Sequence, residues 1–103
     1  MVKDVYLITK LLPDEEKYGL TSQINRCAVS IPANIAEGSA KYSQKDFVRF
    51  LQISLGSAYE LESHLILCSD LDFIDAKTGS MIIRDIQLLQ KRIAALIKYN
   101  SKP

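Results

Sequence analysis

The apolar residues of this 103-residue chain recur every three and four positions almost from end to end. That spacing lines them along one face of a helix. No segment alternates with a period of two over a convincing length, so a sheet is not expected to form the core. The clearest run is Leu51, Ser54, Ala58, Leu61, Leu65 and Cys68. It is a heptad seam with small residues at two positions, which permit close helix approach. Ser43-Gln44-Lys45-Asp46 resembles a capping box with Asp in place of Glu, so a helix is expected over about 44–70.

The same reasoning places three more helices. The first covers about residues 2–12, with Val5, Ile8 and Leu12 on one face, and Pro13 stops it. Asp14, Glu15 and Glu16 suit the opening turn of a new helical segment, where free N–H groups favour negative charge. The second covers about 20–40, with a seam of Leu20, Ile24, Cys27, Ile31, Asn34 or Ile35, and Gly38. The fourth covers about 76–100 behind Asp75, a plausible N-cap. Its seam is Ile82, Ile86, Leu89, Ile93 and Leu96. Short connections make neighbouring helices antiparallel. The expected fold is all-α, an antiparallel up-down four-helix bundle with a short first helix, forming one domain over residues 1–103. The first helix reaches only roughly 17 Å, whereas the third and fourth approach roughly 38 Å. The apolar surface it leaves should be buried by another copy of the chain, or the natural N-terminus lies upstream. No run of 18 apolar residues indicates a membrane span. Charges interrupt the N-terminal apolar residues, so no signal peptide is read there and a cytoplasmic location is expected.

Catalysis finds little support. His64 is the single histidine, with Glu60 one turn earlier. The pair has the spacing for acid–base work, but it is read as a helix-surface pair. A di-iron bundle needs Glu-x-x-His on two helices, and Glu60 and Glu62 stand four and two residues before His64. Cys27 and Cys68 are offset by roughly 16 Å along adjacent helices, beyond disulfide reach. Both are read as small buried hydrophobes. Neither a paired-cysteine motif nor a histidine cluster marks a metal site, and the four glycines are too scattered for a phosphate loop. No enzyme activity, cofactor or metal is expected.

Charge is more informative once divided along the chain. The net charge is +1, but residues 60–75 carry five acids and no Lys or Arg, while residues 76–103 carry six basic residues and one acid. Lys77, Arg84, Lys91 and Lys98 recur every seven residues. Such a stripe drifts by only ~20° per heptad on a straight helix and lies opposite the seam. Arg92 and Lys102 are counted with it. These six are the candidate RNA-binding residues, acting on phosphates because no aromatic residues interleave for base stacking. Ion pairs are expected from Arg26 to Glu60 or Glu62, and from Glu62 to Arg84, fixing helix register.

The stretch SIPANIAEG, residues 30–38, is read as a device of shape and assembly. Pro32 removes an N–H, so the Ala28 carbonyl loses its helical partner and the helix should bend. Ser30 or a water is expected to satisfy that carbonyl. Asn34 falls near the seam, where a buried Asn selects one register or assembly state. Glu37 lies near Lys41. Gly38 ends the helix or permits close packing against Phe47.

Three phrases in order, YGLTSQINR, VSIPANIAEG and FLQISLGSAYELE, resemble the four-helix-bundle proteins encoded in intervening sequences of bacterial 23S rRNA genes. The likeness extends over roughly residues 5–100. It implies a four-helix bundle that assembles as a ring, often a pentamer. A related branch, the accessory variability determinants of diversity-generating retroelements, binds RNA and a reverse transcriptase. Those proteins are strongly basic and this chain is close to neutral. Family members also carry further turns before the position of Val5. Two functions follow as expectations: a non-enzymatic homo-oligomer that binds RNA through the fourth helix, or an assembly module that binds a protein partner and no nucleic acid.

Overall fold

A computed structural model describes residues 1–102. It contains four α-helices, α1 (Val2–Thr9), α2 (Leu20–Ser39), α3 (Gln44–Asp70) and α4 (Ala76–Asn100), with a 3-10 turn at Asp14–Glu16. Among the described residues there is no strand. Each expected helix forms within one residue of its expected bounds, except that α1 ends at Thr9 and a turn carries the chain to Leu12.

Local chemistry sets the ends. Ser43 Oγ accepts the Asp46 N–H at 3.1 Å, and Asp75 Oδ1 accepts the Thr78 N–H at 2.6 Å. Each side chain satisfies one of the N–H groups that a helix start leaves free. At the end of α3, the Phe73 N–H donates to the Cys68 carbonyl and the Asp72 N–H to the Ser69 carbonyl. This is the double bond of a Schellman stop. It requires a left-handed residue, and Asp72 supplies it at φ 60°.

α2 packs against α3, α3 against α4, and α1 against α2. Cys27 meets Glu60, Ser30 meets Ser57, and Ile31 meets Ser54 across the first of these interfaces. The core holds Val5 and Ile8, Ile24, Cys27 and Ile31, the whole α3 seam, and Ile82, Ile86 and Ile93. Ser54 is fully buried on that seam and donates to the Ile31 carbonyl at 2.9 Å, so its hydroxyl is not left without a partner. Leu89 is only half-buried and Leu96 is exposed. The eight residues of α1 span about 12 Å, and the 25 of α4 about 38 Å. Between them lies an open groove of about 360 Å³, lined by Leu7, Ile8, Met81 and Ile82 with Asp4 and Asp85 at its edge. Among the described residues no helix is long and apolar enough to cross a membrane.

One expectation for α2 is corrected, that for Ser30, and the choice left open for Gly38 is decided. The helix runs unbroken through Pro32, which is exposed. Ser30 does not reach the Ala28 carbonyl. Its hydroxyl lies 2.8 Å from Ser57 Oγ and accepts from Asn34 Nδ2 at 2.9 Å. Asn34 is half-buried and also donates to the Ser30 carbonyl at 2.8 Å. Both bonds of the Nδ2 group are thus made within α2. Gly38 does not end the helix, which continues to Ser39. Close packing is its role: an added Cβ would stand 2.6 Å from Phe50 Cβ and 3.0 Å from Phe47 Cδ1.

Candidate functional site

Asp75 starts α4, and the inward Ile82, Ile86 and Ile93 fix how the helix is turned. Positions seven apart return to nearly the same face. Lys77, Arg84, Lys91 and Lys98 are accordingly all exposed. They extend along about 32 Å of helix. Among the described residues Arg49 pairs with Asp46, His64 Nε2 lies 3.9 Å from Glu60, and no carboxylate stands within ion-pair distance of the stripe. The Lys77 charge nevertheless helps to hold the Asp75 carboxyl down.

The edges of the stripe differ from the sequence expectation. Consecutive helical residues turn by about 100°, so Arg92 does not share the face of Lys91. Arg92 lies toward α1, beside Asp4, Asp85 and Leu88. Lys91 lies toward α3, beside Tyr59 and Gln87. Arg92 therefore leaves the stripe. Lys102 stays with it at the C-terminal end, next to Lys45 of α3, and its ammonium lies 5.6 Å from the centre of the Tyr99 ring. Tyr59 and Tyr99 are both more than half exposed. Aromatic faces thus do border the basic residues. Tyr59 was not legible in the sequence because it comes from another helix.

The expected register pairs are not formed. Glu62 accepts from Gln87 Nε2 at 2.9 Å and from Gln90 Nε2 at 2.8 Å. Gln90 is buried and also donates to the Ala58 carbonyl at 3.3 Å. α4 sits about one turn further along α3 than a simple hairpin count gives, which puts glutamines, not Arg84, opposite Glu62. Arg26 is exposed and makes no ion pair among the described residues. Glu37 is exposed as well, and Lys41 lies instead over the Phe50 ring at 5.1 Å.

Glu60 has other neighbours. The Cys27 thiol donates to Glu60 Oε2, and His64 Nε2 lies 3.9 Å from the same oxygen. Burial, then the Glu60 hydrogen bond and charge, push the Cys27 thiol up to about 12. It is held as a thiol and is no nucleophile near neutrality. Cys68 is free and buried too, and burial pushes it up to about 11. From sequence alone Cys27 is a plain hydrophobe and Glu60–His64 a surface pair. The hairpin already placed Glu60 within about a turn of Arg26, and hence of Cys27. That proximity was the available signal.

The model of the 23S rRNA-intervening sequence protein family matches residues 1–95. The chain belongs to this family. A crystal structure of a protein with unknown function from the S23 ribosomal protein family of Bacteroides thetaiotaomicron VPI-5482 is 31% identical, with a TM-score of 0.83. The alignment covers 94% of this chain and 87% of that one. No curated protein matches. The family likeness read from YGLTSQINR, VSIPANIAEG and FLQISLGSAYELE therefore holds, and these phrases build α2 and α3.

Proposed function

We propose that this protein is a non-enzymatic homo-oligomer of antiparallel up-down helices that binds RNA along α4. The observation that carries the RNA reading is the exposed line of Lys77, Arg84, Lys91 and Lys98, none of them in an ion pair among the described residues. Lys102 and the neighbouring Lys45 prolong it. Phosphate contacts would supply most of the affinity, with Tyr59 and Tyr99 offering ring faces beside them. The antiparallel arrangement is supported by the contact order, since Cys27, Ser30 and Ile31 meet progressively earlier residues of α3. Assembly is supported by the apolar groove beside the short α1, where Leu7 and Met81 are more than half exposed. A pentameric ring is the arrangement suggested by the family resemblance.

Filter binding against structured RNA tests the interface. Four phosphate contacts per protomer correspond to a log–log salt slope of about −3 to −4. Reversing Arg84 and Lys91 to Glu should abolish retention. No retention at low salt, or none lost on reversal, refutes the reading. Light scattering coupled to size exclusion tests assembly, and a species of 11.6 kDa would defeat it.

The same apolar groove favours a second reading, an assembly module for a protein partner whose basic stripe is simply solvated. Retained oligomers with no salt-dependent RNA binding would select it.

A further inference from the structure

Cys27 of α2 and Glu60 and His64 of α3 converge at the helix interface, and Cys27 Sγ, one Glu60 oxygen and one His64 ring nitrogen all lie within 4.8 Å of one another. Glu60 and His64 are four residues apart, so both project from the same face one turn apart. Cys27 reaches them from the facing helix. This is a soft sulfur, an imidazole nitrogen and a carboxylate oxygen, the donor set of zinc. The His64 nitrogen adds a second observation. Nε2 is shielded from solvent and has no hydrogen-bond partner among the described residues. Its 3.9 Å separation from Glu60 Oε2 is too long for a hydrogen bond. A ring nitrogen that is dry, unpaired and aimed at a carboxylate and a thiol is placed as a ligand would be.

The geometry points to a zinc site formed by Cys27 Sγ, Glu60 Oε2 and His64 Nε2. Zinc bonds of about 2.0–2.3 Å at tetrahedral angles separate ligand atoms by roughly 3.3–3.6 Å. His64 Nε2 must approach the other two by no more than about 1 Å. Cys27 Sγ and Glu60 Oε2, now in hydrogen-bond contact, must open by a similar amount as the thiol proton leaves and the metal enters between them. Glu60 is 57% exposed and His64 24%, so the cluster sits at the rim of the interface. The fourth position opens outward and takes a water. Binding couples to a proton: the Cys27 thiol releases one proton to solvent as the thiolate bonds the metal, and no electron is transferred. Thiolate and carboxylate together neutralise the dication beside neutral His64. The oxygen-preferring Mg²⁺ and Ca²⁺ do not suit these donors.

Cobalt(II) is the probe, because it takes zinc sites and reports thiolate ligation by a near-ultraviolet charge-transfer band. The full chain should develop that band with one equivalent of Co²⁺, and Zn²⁺ should bleach it. Cys27→Ser should lose the band, while Cys68→Ser keeps it. Glu60→Gln and His64→Ala should weaken Co²⁺ by about 10–100-fold, at least the loss that outer-shell changes cause. Circular dichroism checks the fold of each variant. Glu60 is exposed, so Glu60→Gln remains informative if Cys27→Ser does not fold. An absent band in the parent chain overturns the site, as does a band that follows Cys68 or an affinity unchanged in Glu60→Gln.

Discussion

Replacing Gly38 by Ala opposes two terms whose sizes follow from the structure. Ala is a better helix residue than Gly by about 1 kcal/mol. The new Cβ, however, would stand 2.6 Å from Phe50 Cβ. That atom is bonded to the α3 backbone and cannot swing aside, so α2 and α3 must separate by roughly 1 Å. Overpacking of this kind costs about 1–3 kcal/mol, and a backbone-anchored clash belongs in the upper half of that range. The expected net loss is about 1–2 kcal/mol, a fall in Tm of roughly 5–10 °C for a domain of this size. Gly56 provides the comparison. It is exposed on α3, and beyond its own stretch of helix no atom lies within 4 Å of an added Cβ. Gly56→Ala should therefore gain up to about 1 kcal/mol from propensity alone. Thermal and urea unfolding at one fixed protomer concentration measure both. If Gly38→Ala matches Gly56→Ala in sign, close approach of α2 to Phe50 is not the reason for this glycine.

Gln90→Ala should cost about 1–3 kcal/mol, because it strips a buried donor from both Glu62 and the Ala58 carbonyl; Arg84→Ala should change stability by less than about 0.5 kcal/mol. Urea midpoints at unchanged slope compare them, and the reverse order would restore a Glu62–Arg84 pair. Asp75 is predicted to stabilise the fold in a pH-dependent way. Its carboxyl is held below its usual value, first by the Thr78 N–H at the start of α4. A depressed folded pKa gives stabilisation that is complete above the unfolded value and lost as pH falls through the folded one. The stability gap between the parent chain and Asp75→Ala should thus be widest near neutrality and shrink in acid below the ordinary Asp range. A gap independent of pH would refute the ionised cap.

What the sequence determined by itself is local or periodic. The i, i+3, i+4 recurrence marked the four helices, Ser43 and Asp75 were visible as caps, and the whole α3 seam was identified as core. Cap bonds span three residues and seams repeat every turn, so neither depends on the rest of the chain. The heptad line of Lys77, Arg84, Lys91 and Lys98 was legible for the same reason. What only tertiary structure decided is which residue stands opposite which. A shift of one turn between α3 and α4 replaced Arg84 with Gln87 and Gln90 as the partners of Glu62. The angular position of Arg92 removed it from the stripe, and Tyr59 arrived beside Lys91 from another helix. Cys27, read as one more apolar seam residue, met Glu60 and His64 across 33 and 37 positions of sequence. Apolar periodicity fixes which face is buried but leaves the axial slide of one helix along another to side-chain packing. The proposed metal site depends on that slide.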